Sequence, residues 1–294
     1  MKLKNLGYIL LKSVWVSFSL IPLPVMYVLS DILYFPFYYC IRYRRKVVRK
    51  NLQESFPEKS TNEIVRIEKK FYHFLLDMFF EMNKCATISR KALKKRVVFK
   101  DFDKINALLN KGKNISLYLA HYANWEWISS LPLHLDNNNV KAGQIFHGIR
   151  NKAVDRLLYT NRSRMGAVSI EMHRTLRWIN EQINNNTTTI TGYIADQTGQ
   201  PNDYYLNFLH HYVPAMVGAE KITKRYKMEA YYLDVTRVKR GYYEASFRCL
   251  AEDPGSLPNY QLTEIYYDHL EKTIRERPEF YLWSHRRFKR AKTL

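Results

Sequence analysis

Residues Ile115-Ser116-Leu117-Tyr118-Leu119-Ala120 run directly into His121-Tyr122-Ala123-Asn124-Trp125-Glu126, and the reading of this stretch decides the fold. The first six residues form a short apolar run, which reads as a buried strand. Residues 125–135 read as an amphipathic helix, for which Asn124 is a suitable N-cap. His121 therefore stands where a strand ends, and Glu126 where a helix begins. In open α/β sheets that edge is where ligands bind. A histidine held by a carboxylate is the minimal apparatus for general-base catalysis near neutral pH.

Within one continuous helix, residues five apart diverge by about 140°, at roughly 100° per residue. His121 and Glu126 converge only if the backbone turns between them, as a strand-to-helix junction allows. The zinc-protease pattern needs two histidines at i and i+4 on one helix, and this is not that pattern. An isolated H-x4-E is a weak signal. A satisfied histidine at a strand end and an unrelated surface glutamate give the same spacing.

Outward from this junction the elements alternate. Ser60 followed by Glu63 is a capping-box pattern. It opens a helix to about residue 83, with Ile64, Ile67, Phe71, Phe74, Leu75 and Met78 on one face. A short helix over 103–109 stops at Gly112. Strands are predicted over 140–146, 188–195, 230–236 and 242–249. Helices are predicted over 151–165, 217–226 and 262–276, the last ending before Pro278. The alternation implies a single α/β domain built on a mixed, mostly parallel sheet flanked by helices. Parallel strands bring their exits to one edge, so Asp196 and Gln197 join His121 there. Arg150, Arg156, Arg162 and Arg164 cluster on and around the 151–165 helix, although Arg156 and Arg162 do not share quite the same face. Guanidinium groups beside a catalytic histidine suggest phosphate or another anion in the substrate. A solvated helix face is the plainer alternative.

Residues 13–30 carry no charge, a run of 18, which is at the lower limit for a transmembrane helix. Pro22 and Pro24 interrupt it. The chain is expected to begin with an apolar membrane-anchoring helical segment that spans once or lies in the interface. Six positive charges follow in nine positions, at Arg42, Arg44, Arg45, Lys46, Arg49 and Lys50. A polybasic segment next to an apolar anchor is the positive-inside signature and an anionic-lipid contact. It places the body of the protein on the cytoplasmic face. The expected division is 1–50 for anchor and polybasic segment and 51–294 for the catalytic domain.

The 294 residues hold 47 Lys and Arg against 27 Asp and Glu, a net charge of +20. Such an excess implies an anionic partner. Nucleic acid, an anionic membrane face and an acidic protein all fit, and the 23 Tyr, 15 Phe and 5 Trp suit the first two equally. Cys40, Cys85 and Cys249 are scattered without pairing or metal spacing, which fits a reducing compartment. The C-terminal stretch from Pro278 to Lys289 interleaves aromatics with positive charge, and reads as a surface for phosphate headgroups or nucleic acid.

These segments together resemble the late acyltransferases of lipid A biosynthesis, within the wider glycerolipid-acyltransferase-like group that carries an H-x4-D/E motif. The likeness covers nearly the whole chain. It includes Arg42-Tyr43-Arg44-Arg45, His121 to Glu126, Asn151 to Arg162 with Gly166, Ala195-Asp196-Gln197, and the ending Trp283-Ser284-His285-Arg286-Arg287-Phe288-Lys289. The chain departs from the family pattern at His147, where an arginine is usual. It also departs in the 208–213 segment, where His210 and Tyr212 replace an expected glycine and proline.

The resemblance implies transfer of a fatty acyl chain from an acyl-carrier-protein thioester to a hydroxyl of a lipid A precursor at the inner membrane. His121 would be the base and Glu126 its orienting acid. Asn124, Arg150, Arg156, Arg162, Asp196 and Gln197 would bind substrate. The implied partners are acyl carrier protein, an anionic glycolipid and the membrane surface rather than nucleic acid. No metal or organic cofactor is required. The same chemistry on another lipid acceptor is the nearest alternative.

Overall fold

The Ser60 capping box forms as its spacing predicts. Ser60 Oγ accepts from the Glu63 N–H, and the Glu63 carboxylate accepts from the Ser60 N–H at 2.9 Å. A cap of this kind contributes about 1 kcal/mol. The computed structural model describes residues 2–201 and 204–292. Four helices open the chain: α1 (Lys2–Ser19), α2 (Leu23–Phe35), α3 (Arg45–Ser55) and α4 (Thr61–Lys84). Then come α5 (Arg90–Arg96), β1 (Val97–Phe99), α6 (Phe102–Asn110) and β2 (Ile115–Leu119). The middle of the chain contains β3 (Val140–Phe146), α7 (Lys152–Ser163), β4 (Val168–Glu171), α8 (Thr175–Asn184) and β5 (Thr188–Ile194). A hairpin of β6 (Tyr205–Phe208) and β7 (His211–Pro214) precedes α9 (Gly218–Arg225), β8 (Glu229–Lys239), β9 (Tyr242–Ala251) and α10 (Gln261–Glu276).

Seven of the described strands form one sheet in the order β1-β9-β8-β2-β5-β3-β4. Its left half is mixed, because β8 and β9 pair antiparallel and β1 runs parallel to β9. From β8 rightward, every pairing is parallel. The mixed, mostly parallel α/β sheet expected from the alternation is therefore the fold. All five residues of β2 are buried, as a central parallel strand covered on both faces requires.

One local expectation is corrected, and several elements add to the expected set. The segment after His121 is not an α-helix from residue 125 but a 3₁₀-helix, Trp127–His134, with Pro132 inside it. Proline lacks the N–H that an α-helical ladder needs. The strand β4, the helix α8 and the β6–β7 hairpin were not expected. The strands have four residues each, too short for a period to register. Helix α8 has no side-chain cap at its start.

The uncharged N-terminal run divides at Pro22 into α1 and α2. Helix α2 continues through a wider helical turn to Ile41, and Leu23–Ile41 is long and apolar enough, by length and composition, to cross a membrane. Its inner stripe, Met26, Ser30, Tyr34 and Tyr38, is buried, whereas Val28, Ile32, Leu33 and Phe35 are exposed. Helices α1 and α2 both pack on α4, and α1 also touches α7. Asp31 in mid-segment forms a two-point ion pair with Arg240 at 2.8 Å. Arg240 and Arg237 also bind Asp77 of α4. Gly241, φ +73°, closes the β8–β9 turn, and a Cβ there would come within 2.1 Å of the Tyr27 hydroxyl.

The polybasic segment is only partly a surface. Arg45 and Arg49 turn inward to the buried Glu68, and Arg44 donates to the Ser284 carbonyl at 3.0 Å. Lys46 and Lys50 remain exposed.

Candidate active site

The sheet register builds the site. In the parallel pair β2–β5, Leu119 lies opposite Ile194. His121 and Asp196 each stand two residues beyond that pair, so they leave the same sheet edge side by side. Neighbouring strands lie about 4.8 Å apart, which is within reach of two side chains. His121 Nδ1 meets Asp196 Oδ1 at 2.8 Å. On the far side of the ring, Nε2 faces the Gln197 amide nitrogen at 3.3 Å. The Asp196 side chain is 4% exposed and that of His121 is 17% exposed, so the carboxylate is sealed while the imidazole stays reachable.

Burial pushes the Asp196 carboxyl upward. The His121 imidazole, by charge and hydrogen bond, and the Arg287 guanidinium outweigh burial and hold it below the ordinary carboxylate range. An ionised Asp196 only accepts hydrogen bonds. It therefore places the imidazole proton on Nδ1 and leaves the Nε2 lone pair facing outward. This is the tautomer that a general base needs.

Both strand ends are tied from α10. The Tyr266 hydroxyl donates to the Leu119 carbonyl at 2.7 Å, and the Tyr267 hydroxyl to the Ala195 carbonyl at 3.1 Å. The chain turns sharply after His121 through Ala123, φ +50°, a strained value for a residue with a Cβ. Backbone bonds hold that turn: Ala123 N–H donates to Phe280 and Leu282 N–H to His121. The C-terminal segment thus lies along the histidine turn. Phe280, Tyr281, Trp283 and Arg287 are buried. The expected headgroup or nucleic-acid surface is therefore corrected to an internal scaffold, because these aromatics pack behind the site.

The expected His121–Glu126 pairing is not the one that forms. Both Glu126 oxygens accept from Arg162, at 2.8 Å from Nε and 2.5 Å from Nη2. The positive-φ turn at Ala123 leads Glu126 toward α7, so the carboxylate on the imidazole is Asp196. Burial works against the charge of Arg162, but the Glu126 carboxylate outweighs it and raises its pKa. Asn124 is buried too. Its amide donates to Glu81 Oε2 at 2.6 Å and its oxygen accepts from the Trp127 N–H at 3.0 Å. Both ends of the Asn124 side chain thus shape the turn. Trp125 meets the His121 ring edge-on at 5.1 Å, and it borders a narrow apolar crevice with Leu119, Ile128 and Val235.

Of the other arginines, Arg150 is exposed and Arg164 donates to the carbonyls of Cys85 and Ile88. Arg156 lies 4.2 Å from the Tyr8 ring centroid of α1. The six-residue separation of Arg156 from Arg162 therefore does put them on different neighbours.

Glu81 of α4, to which the sequence pattern assigns no role, supports the site from below. It accepts from Asn124, from Tyr243 at 2.7 Å and from Tyr27 at 2.8 Å, and burial raises its pKa. A signal existed, since Glu81 continues the 64, 67, 71, 74, 78 stripe of α4. An acid in an apolar stripe needs polar partners inside. Tyr266 and Tyr267 carry no local signal, and for Tyr281 and Arg287 the aromatic and basic pattern of the ending points to a surface rather than to the site.

A family model described as "Bacterial lipid A biosynthesis acyltransferase" matches residues 1–290. A "Lipid A biosynthesis acyltransferase" of Haemophilus influenzae is 23% identical over 246 residues, covering 82% of this chain and 74% of that protein. A reachable imidazole backed by a sealed carboxylate is apparatus for activating a hydroxyl, and the family match spans the whole sheet that carries it. The chain belongs to the bacterial lipid A biosynthesis acyltransferases and is an acyltransferase of lipid A biosynthesis.

Proposed function

We propose that this protein transfers a fatty acyl chain from an acyl-carrier-protein thioester to a hydroxyl of a lipid A precursor, on the cytoplasmic face of the inner membrane, with His121 as general base. The observation that carries the proposal is the sealed Asp196 carboxylate on His121 Nδ1, with Nε2 turned to the open side.

The acceptor hydroxyl takes the place of the Gln197 amide and donates to His121 Nε2. Its oxygen attacks the thioester carbonyl as the proton passes to Nε2. The tetrahedral intermediate collapses, the C–S bond breaks, and the imidazolium returns the proton to the departing thiolate. Asp196 stabilises the imidazolium without taking its proton, as in other His–carboxylate pairs. Base assistance of this kind is worth about 10²–10⁴ in rate.

Arg162 uses Nε and Nη2 on Glu126. Its remaining amino group, with Arg150, is suited to an anionic group of the acceptor. The net charge of +20 favours an acidic carrier protein as donor partner and an anionic membrane as the working surface. The apolar outer stripe of α2 supports membrane attachment.

The test is direct. Purified full-length protein is supplied with a tetra-acylated lipid A precursor bearing its inner-core sugar and a set of acyl-carrier-protein thioesters, and products are weighed by mass spectrometry. One added acyl group with wild type and none with His121→Ala supports the reading. Thioester consumed only when mixed membrane lipids replace the precursor would move the acceptor to another lipid.

A further inference from the structure

We infer that Arg287 is a positioning residue of the acyl-transfer site, clamping the turn from Ala195 to Thr198 so that Asp196 is set against His121. The inference rests on the proposed role of His121.

Arg287 lies in the segment after α10 and is 2% exposed. Its Nη2 donates to the Tyr267 hydroxyl at 2.9 Å, and that hydroxyl donates to the Ala195 carbonyl at 3.1 Å. Its own carbonyl accepts from the Thr198 hydroxyl at 2.7 Å. One residue thus grips the position before Asp196 and the position two after it. The rings of Phe208 and Tyr267 flank the guanidinium, with centroids 5.5 and 5.6 Å away.

The guanidinium is otherwise idle. Nε and Nη1 have no hydrogen-bond partner among the described residues, and no ion pair reaches Arg287 among them. A buried cation in this state costs free energy, and a fold has little reason to keep it for packing alone. Its position explains it. A direct bond to Asp196 would compete with His121 for the carboxylate. Held back by Tyr267, the positive charge acts on Asp196 through space and leaves Oδ1 to the imidazole. The other titratable groups around the pair are Tyr281 and His285 from the C-terminal segment, Tyr266 and Tyr267 from α10, and Tyr232 from β8.

Full-length Arg287→Met, Arg287→Lys and Tyr267→Phe are compared with wild type and His121→Ala, measuring kcat, both KM values and the pH profile of kcat/KM. Arg287→Met is expected to lower kcat about 10–100-fold with both KM values within about twofold, by misplacing the base. It should also move the acid limb of the profile to higher pH, because the lost cation no longer favours the ionised Asp196 carboxylate that serves the base. Arg287→Lys should return the limb but not the whole of kcat, since an ammonium does not reproduce the planar hold on Tyr267. Tyr267→Phe should lower kcat with the limb in place.

A lower kcat in Arg287→Met with an unmoved limb overturns the inference, because a loosened fold alone gives that pattern. So does wild-type kcat in that variant. If Arg287→Met does not fold, wild-type kcat in both Arg287→Lys and Tyr267→Phe overturns it. Acyl transfer that survives His121→Ala would instead remove the underlying reading of the base, whatever the Arg287 variants do.

Discussion

Asp196→Asn and Glu126→Gln together decide which carboxylate serves the histidine. In Asp196→Asn the side chain keeps its volume but loses its charge 2.8 Å from His121 Nδ1. At an effective dielectric of about 20, unit charges at that separation interact by roughly 6 kcal/mol. Only the part realised as the imidazole becomes cationic counts toward the barrier. If the new amide turns its NH₂ to Nδ1, the proton moves to Nε2 and the base is lost altogether. A loss of about 10²–10⁴ in kcat is expected, or roughly 3–5 kcal/mol. In Glu126→Gln the perturbed partner is Arg162, part-buried and held at both oxygens. Stability should fall by about 1–3 kcal/mol, because a partly buried guanidinium loses its counter-charge. The kcat loss should be at least tenfold smaller than in Asp196→Asn. The assay is acyl transfer at saturating donor and acceptor, with thermal unfolding of each variant alongside. If Glu126→Gln abolishes turnover at wild-type stability while Asp196→Asn retains it, the assignment of Asp196 as the carboxylate of the base, derived from the sheet register, is wrong.

Four further outcomes are expected. Glu81→Leu leaves Asn124, Tyr27 and Tyr243 without their buried acceptor and should cost about 3–5 kcal/mol, measured by denaturant unfolding; Glu81→Gln keeps one acceptor oxygen and should cost less than half of that. Gly241→Ala meets both a left-handed φ and the Tyr27 hydroxyl, so its midpoint of thermal unfolding should fall, by an equivalent of about 2 kcal/mol. Acid stability provides a sign test for Asp196, whose folded pKa is depressed. Its contribution is complete above the unfolded carboxylate value of about 4 and is lost as pH falls through the folded one. Wild type should therefore lose stability more steeply than Asp196→Asn below about pH 4. Replacing exposed Val28 and Ile32 of α2 together by Asp should weaken co-sedimentation with anionic vesicles at least tenfold, an order-of-magnitude expectation for apolar insertion, while circular dichroism stays unchanged. Full retention on the vesicles would shift the attachment surface away from α2.

Features that depend on near neighbours could be read from the chain alone. The apolar run before His121, the capping box at Ser60 and the helix starting near Asn151 are local, since a strand, a cap or a helix start is specified within a few residues. Placing His121 and Asp196 at strand exits needed no more than the ends of two apolar runs. Which partner each side chain takes is a property of the sheet order. His121 and Asp196 are separated by 75 positions and meet because β5 inserts next to β2 in register. Glu126 is five positions from His121, yet the left-handed turn at Ala123 carries it to Arg162 on α7. Arg287 and the α10 tyrosines reach the site only after the C-terminal segment folds back along the histidine turn. Side-chain periodicity reports what an element buries, but not which distant element it is buried against. The candidate base was legible in the sequence for that reason, and its carboxylate, its clamp and its buried support were decided by tertiary packing.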